Sequence, residues 1–121
     1  MGKKLNKSTG DRGEEIAVEL LCSKGYKLLE KNWRCKMGEL DLVMVAGNVI
    51  VFVEVKTKVG DRFGSPEEMM NAKKVWRVAR MAEYYLQTHP NIKLAMRIDL
   101  VAIELGSMRE VLRINHIESI T

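Results

Sequence analysis

Carboxylates and a lysine crowd both arms of one expected hairpin. Residues Glu39 to Ala46 and Val49 to Thr57 are rich in Val and other aliphatics and read as strands. Gly47-Asn48 between them is a two-residue turn signal. Such a loop sets Ala46 opposite Val49, and so Asp41 opposite Glu54 and Glu39 opposite Lys56. Alternation then gathers all four on the face carrying Val43, Val45, Phe52 and Ile50. Like charges directly opposite one another destabilise a sheet, and these sit on the most apolar strand of the chain. Something positive has to compensate. A divalent cation does so, because Mg²⁺ takes one or two carboxylates and completes its shell with waters and phosphate oxygens. Asp41 and Glu54 supply the pair, and the Val55 carbonyl offers a third oxygen. Lys56, on the same face, is placed to hold a water or offset charge on a phosphate. The plainer reading is a solvated charge ladder in which Glu39–Lys56 and Lys58 neutralise their neighbours. Both readings stand at this level, and a one-residue bulge would break the register on which the first depends.

The remaining elements must position that hairpin. Ser8 or Thr9 caps a first helix that Gly25 ends at its C′ position. Its apolar stripe is Ile16, Ala17, Leu20 and Leu21, with Val18 at the margin. At 100° per residue Glu14 falls beside Leu21, facing the body of the protein, from where it could bind a second ion or orient water. Tyr26 to Trp33 reads as a strand. Ser65-Pro66-Glu67-Glu68 combines an N-cap, a Pro at the first helical position and a capping-box Glu. It predicts a second helix to about Gln87, with an inner stripe of Ala72, Val75, Ala79, Ala82 and Leu86. Met96 to Glu104 and Arg109 to Ile114 form a last pair of strands across Gly106-Ser107. The order is α, three β, α, two β, which predicts an α/β domain with a mixed sheet. Val49 to Val55 is apolar on both faces, as suits a central strand covered by helices on each side.

Composition narrows the class. The 121 residues, 46% of them hydrophobic, fit one compact domain, residues 1–121, with residues 1–8 as a flexible arm. The longest apolar run, Val49 to Val53, falls far short of the roughly 20 residues of a membrane helix. No apolar core follows the basic N-terminus as in a signal peptide, and Cys22 and Cys35 read as two reduced thiols; a cytoplasmic protein is expected. The formal net charge is +4, from 20 basic and 16 acidic residues. Setting aside Glu14, Glu39, Asp41, Glu54 and Lys56 leaves 19 basic against 12 acidic residues, a distinctly cationic exterior that suits a phosphodiester.

Lys73, Arg77 and Arg80 form a stripe opposite the apolar face of the second helix, with Lys74 on its flank; the stripe reads either as a solvated helix face or as a contact for a phosphate backbone. The segment from Thr57 to Gly64 reads as a loop and carries Lys58 and Arg62. Trp33 and Trp76 are expected in core or interface packing rather than stacked on bases. His89 reads as a helix cap, His116 as a tail residue without a partner, and Asp99 as the ion-pair partner of Arg97.

Gly10-Asp11-Arg12-Gly13-Glu14-Glu15-Ile16-Ala17, Gly25-Tyr26, Asn32-Trp33-Arg34, Gly38-Glu39-Leu40-Asp41-Leu42-Val43, Phe52-Val53-Glu54-Val55-Lys56-Thr57-Lys58, Phe63-Gly64-Ser65-Pro66, Lys74, Ala82 with Tyr85-Leu86, and Arg97-Ile98-Asp99-Leu100-Val101 occur in that order. This set, spanning residues 10 to 103, resembles the bacterial YraN family. It is also similar to the restriction-endonuclease-like superfamily and, within it, to archaeal Holliday junction resolvases. The resemblance implies a mixed five-stranded sheet flanked by helices on both sides. It also implies an Asp…Glu-x-Lys nuclease core using Mg²⁺ or Mn²⁺, with Asp41 and Glu54 as metal ligands, Lys56 as the catalytic lysine and Glu14 as the helix glutamate. Lys58 stands where Arg is usual, and Ile98 where Phe is usual. The implied reaction is phosphodiester hydrolysis of branched or flapped DNA, with Lys56 or Glu14 orienting the attacking water and a homodimer expected by analogy. The alternative is a non-catalytic nucleic-acid-binding module that keeps the fold.

Overall fold

The computed structural model describes residues 8–60 and 64–121. The expected N-terminal arm and Arg62 lie largely or wholly outside these residues. Helix α1 runs Thr9–Ser23, and Ser8 caps it by accepting the Asp11 N–H at 3.0 Å. It ends as its sequence predicts, with Gly25 at φ 93°. Gly25 N–H donates to the Cys22 carbonyl and Tyr26 N–H to that of Leu21, so two orphan carbonyls are satisfied where a side chain would be strained. Strands β1 (Lys27–Cys35), β2 (Gly38–Ala46) and β3 (Val49–Val59) follow, then α2 (Ala72–Gln87), β4 (Ala95–Leu105) and β5 (Val111–Ile117).

The five strands form one sheet in sequence order. All neighbours are antiparallel except β3 and β4, which run parallel because α2 carries the chain back across the sheet. Helix α1 covers one face, burying Ile16, Ala17 and Leu21 with Leu42, Met44, Val51 and Val53. Helix α2 covers the other, where Val78, Met81, Ala82 and Tyr85 meet Val43, Ile50, Phe52 and Ile98. Strand β3 is therefore apolar on both sides for the reason its composition implies. This mixed sheet between two helical layers is consistent with a restriction-endonuclease-like core. Among the described residues no helix is long and apolar enough to cross a membrane, and Cys22 and Cys35 are both free thiols.

Three expectations about the second half are corrected. Pro66–Met69 is a separate single turn of 3₁₀-helix, and α2 starts afresh at Asn71, whose side chain accepts the Lys74 N–H at 2.9 Å. Met70 is extended between them, so the capping signal at Ser65 opens the short turn only. The face α2 buries is turned from the expected stripe: Ala72 is exposed, and Val78, Met81 and Tyr85 form its centre. The Tyr85 ring decides this, packing edge-on to both Phe52 and Trp33. Finally, Thr57 to Val59 extend β3 rather than open a loop, paired with Ile103 to Leu105 of β4.

Candidate functional site

The hairpin register is the one a Gly47-Asn48 loop dictates: Ala46 faces Val49, Val43 faces Phe52, and Leu42 faces Val53. There the ladder between β2 and β3 stops, one residue before Asp41 and Glu54. In this register Leu40 and Val55 would exchange the next pair of backbone hydrogen bonds. Instead Asp41 Oδ2 accepts the Val55 N–H at 2.9 Å. A side-chain carboxylate has replaced a backbone carbonyl, and the strands part around it. A residue's N–H and C=O point to the same side of a strand, so the Val55 carbonyl also looks toward Asp41.

The parting is accompanied by a reversal of faces. Leu40 packs under α2 with Val43, whereas Leu42 packs under α1. Strict alternation would put Leu40 and Leu42 on the same side. Strand β1 turns over with it, since Trp33, the partner of Leu40, also lies under α2. The pivot on β1 is Asn32 at φ 54°, a left-handed conformation that Asn tolerates better than most residues. The four charged residues therefore do not share one face as alternation predicted. Beyond the pivot Glu39 turns toward α1, where the carboxylate oxygens of Glu14, Glu39 and Asp41 lie within 4.8 Å of one another. Asn32 Nδ2 donates to both oxygens of Glu14, at 3.1 and 3.2 Å, and reaches Glu39 Oε1 at 3.5 Å. Arg34 closes the far side of Glu39 at 3.1 Å.

Asn32 is the site residue that the pattern of carboxylates does not announce. Its signal was available: an Asn inside a strand is a candidate for positive φ. Asn32→Ala is expected to destabilise the protein by about 1–2 kcal/mol, from left-handed strain and lost hydrogen bonds. Asn32→Gly should recover the strain and not the bonds, so urea unfolding should rank natural, Gly, Ala. A Gly variant no more stable than the Ala variant would remove the backbone part of this account.

Gly13 fixes the approach of Glu14. A Cβ at Gly13 would lie 1.8 Å from Thr57 Oγ1, so the α1 backbone rests directly on β3 at this point. Its neighbour Glu14 is thereby brought to the end of the sheet, half-buried, and burial pushes its carboxyl above the usual range although the Asn32 hydrogen bonds oppose this.

Glu54 is nearly inaccessible, at 7% exposure. Its Oε2 is buried without a hydrogen-bond partner. Burial, then the negative charge of Asp41, pushes its carboxyl up to about 8. Burial also raises Asp41, opposed by the Val55 N–H and by Lys56. Lys56 Nζ stands 3.8 Å from Glu54 Oε1, too far for a hydrogen bond, so the ammonium keeps donors for another acceptor. Metal-free, the Glu54 carboxyl keeps its proton and shares it with Asp41, a proton that a cation between the two would replace. That donor set, all oxygen and mostly anionic, fits a hard divalent cation.

The turned face of α2 sorts the basic candidates. Lys74 and Arg77 line the pocket that holds Glu54 and Lys56, together with Met37, Val78 and Met81, while Glu39 borders it. Lys74 Nζ also donates to the Met69 carbonyl at 3.0 Å. Lys73 is exposed beyond them, and Arg80 pairs with Glu83. The stripe is thus not opposite the core but starts at its edge. Lys58, on β3, donates to the Gly64 carbonyl at 3.1 Å. Trp33 is packed against Tyr84 and Tyr85 as expected. Trp76 is not in the core: it is 62% exposed, with the Arg80 guanidinium over its ring.

Asp99 has the structural role expected of it and more. Arg97 grips it with two hydrogen bonds of 2.9 and 3.0 Å. His116, far from lacking a partner, accepts from Lys24 Nζ at Nδ1 and so presents its Nε2–H to Asp99, each at 2.8 Å. Burial would raise the Asp99 carboxyl, but the Arg97 and His116 bonds outweigh it and hold it below the usual range. The sequence hid this because His116 lies on β5, which extends to Ile117. His89 does cap its helix, through Nδ1 and the Tyr85 carbonyl at 2.7 Å.

Comparison with known proteins gives one consistent result. The sequence profile of the Uncharacterised protein family UPF0102 matches residues 13–103. A UPF0102 protein from Caldanaerobacter subterraneus subsp. tengcongensis is 41% identical over 117 residues, 95% of this chain and 96% of its own. Another from Caldicellulosiruptor saccharolyticus is 43% identical over 110 residues, 91% and 93% of the two chains. A third, from Mycolicibacterium vanbaalenii, is 38% identical over 119 residues and covers 98% of each. The matched span contains both arms of the hairpin, Asn32, Glu14 and the whole of α2, and the chain belongs to the UPF0102, or YraN, family.

Proposed function

We propose that this protein is a divalent-metal-dependent endonuclease that hydrolyses phosphodiester bonds of branched or flapped DNA. The observation that carries the reading is Glu54: a carboxyl buried to 7% exposure, one oxygen without a partner, beside Asp41 and ion-paired with Lys56 at 3.8 Å. Asp41 and Glu54, with the Val55 carbonyl, would hold Mg²⁺ or Mn²⁺, and Glu14 and Glu39 add oxygen ligands on the α1 side. When bound, the ion supplies Lewis-acid polarisation of the phosphate and neutralises charge that develops there.

The chain's own groups do the rest. Val55 N–H fixes the Asp41 carboxylate, and Asn32 fixes Glu14 and Glu39, so the ligands are ordered before any ion arrives. Lys56 holds a water or a phosphate oxygen with the donors that Glu54 leaves free. Glu14, with a raised proton affinity, suits the orientation of that water and acceptance of its proton. Lys74 and Arg77 on the pocket wall bind the neighbouring backbone, and Lys58 and Lys73 extend the cationic surface.

The test is incubation with four-way junctions, flaps and plasmid in Mg²⁺ or Mn²⁺, beside Glu54→Ala. Cleavage by the natural protein and not by the variant is expected. DNA retention that falls with salt, with no cleavage on any substrate, would replace this reading with that of a binding module.

A further inference from the structure

Beside the candidate catalytic pocket lies an apolar notch lined by Lys36, Met37 and Tyr84. Met37 lines both, so notch and pocket adjoin at the β1–β2 turn. The notch has a rigid wall. Phe52, Tyr85, Trp33 and Tyr84 form a ladder of ring contacts with centroids 5.6, 5.1 and 5.9 Å apart, running from the centre of the sheet to the surface. Phe52 is fully buried, and Tyr84 is the outer rung, 43% exposed. Each inner ring holds the next, so Tyr84 is presented in a fixed orientation. Opposite it Met37 is also 42% exposed, a soft side chain that adapts to flat apolar groups. Cations flank it: Lys36 on the turn lines the notch itself, and Arg77, about two helical turns before Tyr84 on the same face of α2, lines the neighbouring pocket.

An aromatic face held by inner rings, beside a flexible thioether and flanked by Lys36 and Arg77, matches a nucleobase attached to phosphates. In a duplex both faces of a base are covered by its neighbours, so only an unpaired base can lie against Tyr84. We infer that Tyr84 and Met37 form a platform for an unpaired nucleotide adjoining the phosphate bound in the pocket. The preferred substrate thus carries single-stranded DNA at the cutting site. This rests on the nuclease reading above for its position next to a cut, but not for binding itself.

The experiment is fluorescence anisotropy in EDTA with fluorescein-labelled oligothymidylate and with the same strand in duplex, using the whole chain. Tyr84→Ala should weaken binding of the single strand by about tenfold, within the usual range for one base–aromatic stack. Tyr84→Phe should bind like the natural protein, and Met37→Glu should lose as much as Tyr84→Ala. Duplex binding should change little in all three. Equal losses on both probes, or an unaltered single-strand affinity in Tyr84→Ala and Met37→Glu, would overturn the platform. Tyr84→Phe and Met37→Glu decide the matter if Tyr84→Ala proves unfolded by circular dichroism. Because EDTA removes catalysis, a platform effect without any Glu54-dependent cleavage would cancel the nuclease reading and leave the platform. Cleavage with no Tyr84 effect would do the reverse.

Discussion

Glu54→Gln is expected to make the metal-free protein more stable at about pH 9, by about 2–4 kcal/mol, while abolishing Mn²⁺ binding. Burial and the neighbouring Asp41 push the Glu54 carboxyl up to about 8 in the folded chain, against an ordinary value of 4.5. Between those values the folded state holds a proton that the unfolded state has released. Stability must therefore fall as pH rises through that window, and be fully present below it. Each unit of separation corresponds to about 1.4 kcal/mol, and relaxation around a coupled pair takes back part of it. Glutamine imitates the protonated acid at every pH, so its curve should fall less steeply than the natural one, keeping only the dependence that Glu14 and Asp41 contribute. Urea unfolding in EDTA at about pH 4, 7 and 9 measures this, with the two proteins converging at the lowest pH. Parallel curves at all three would show that Glu54 is not held as an acid. Calorimetric titration with Mn²⁺ supplies the other half, because the amide removes the charge that an ion would exchange for the proton.

Gly13→Ala is expected to destabilise by about 2–4 kcal/mol, although alanine is the better helix former by about 1 kcal/mol. Gly13 is buried on the sheet side of α1. The new methyl would meet Thr57 Oγ1 at 1.8 Å and Thr57 Cβ at 2.9 Å, both on the central strand. Neither can retreat far, since β3 is paired here with β4, Thr57 against Ile103, and α1 rests directly on it. The helix must lift, carrying Glu14 away from Glu39 and Asp41. Removing the threonine side chain beyond Cβ clears the closer contact and also deletes a buried hydroxyl without a partner. Thr57→Ala should therefore restore about half of the loss in the double variant, a coupling that a cycle of urea-unfolding measurements detects. If Gly13→Ala were neutral, helix propensity would have won and the close approach of α1 to β3 would be wrong.

The candidate site was legible where its geometry is local. A two-residue turn fixes hairpin register by backbone geometry alone, so Asp41 and Glu54 could be set side by side from the positions of Gly47 and Asn48. A helix end needs only its own last turn, and Gly25 marks it. Glu14 followed from helical periodicity, because an amphipathic stripe defines its own edge. These features depend on neighbours a few residues away.

What escaped depends on partners distant in sequence. The reversal of faces at Asp41 needs Asn32 on the adjoining strand to turn with it, and alternation along one strand contains no record of the other. Helix α2 carries two overlapping apolar arcs, Val75-Ala79-Ala82-Leu86 and Val78-Met81-Ala82-Tyr85. Either buries apolar area, and the sheet chose the second because Phe52 and Trp33 offer edges to the Tyr85 ring. That rotation moves Lys74 and Arg77 from a solvated stripe into the pocket with Glu54 and Lys56. Composition and short-range backbone geometry carry the fold class, the hairpin and the set of acidic residues. That Glu14, Glu39 and Asp41 gather round a turned-over strand end comes from packing against β1 and α2, which sets which way each side chain points.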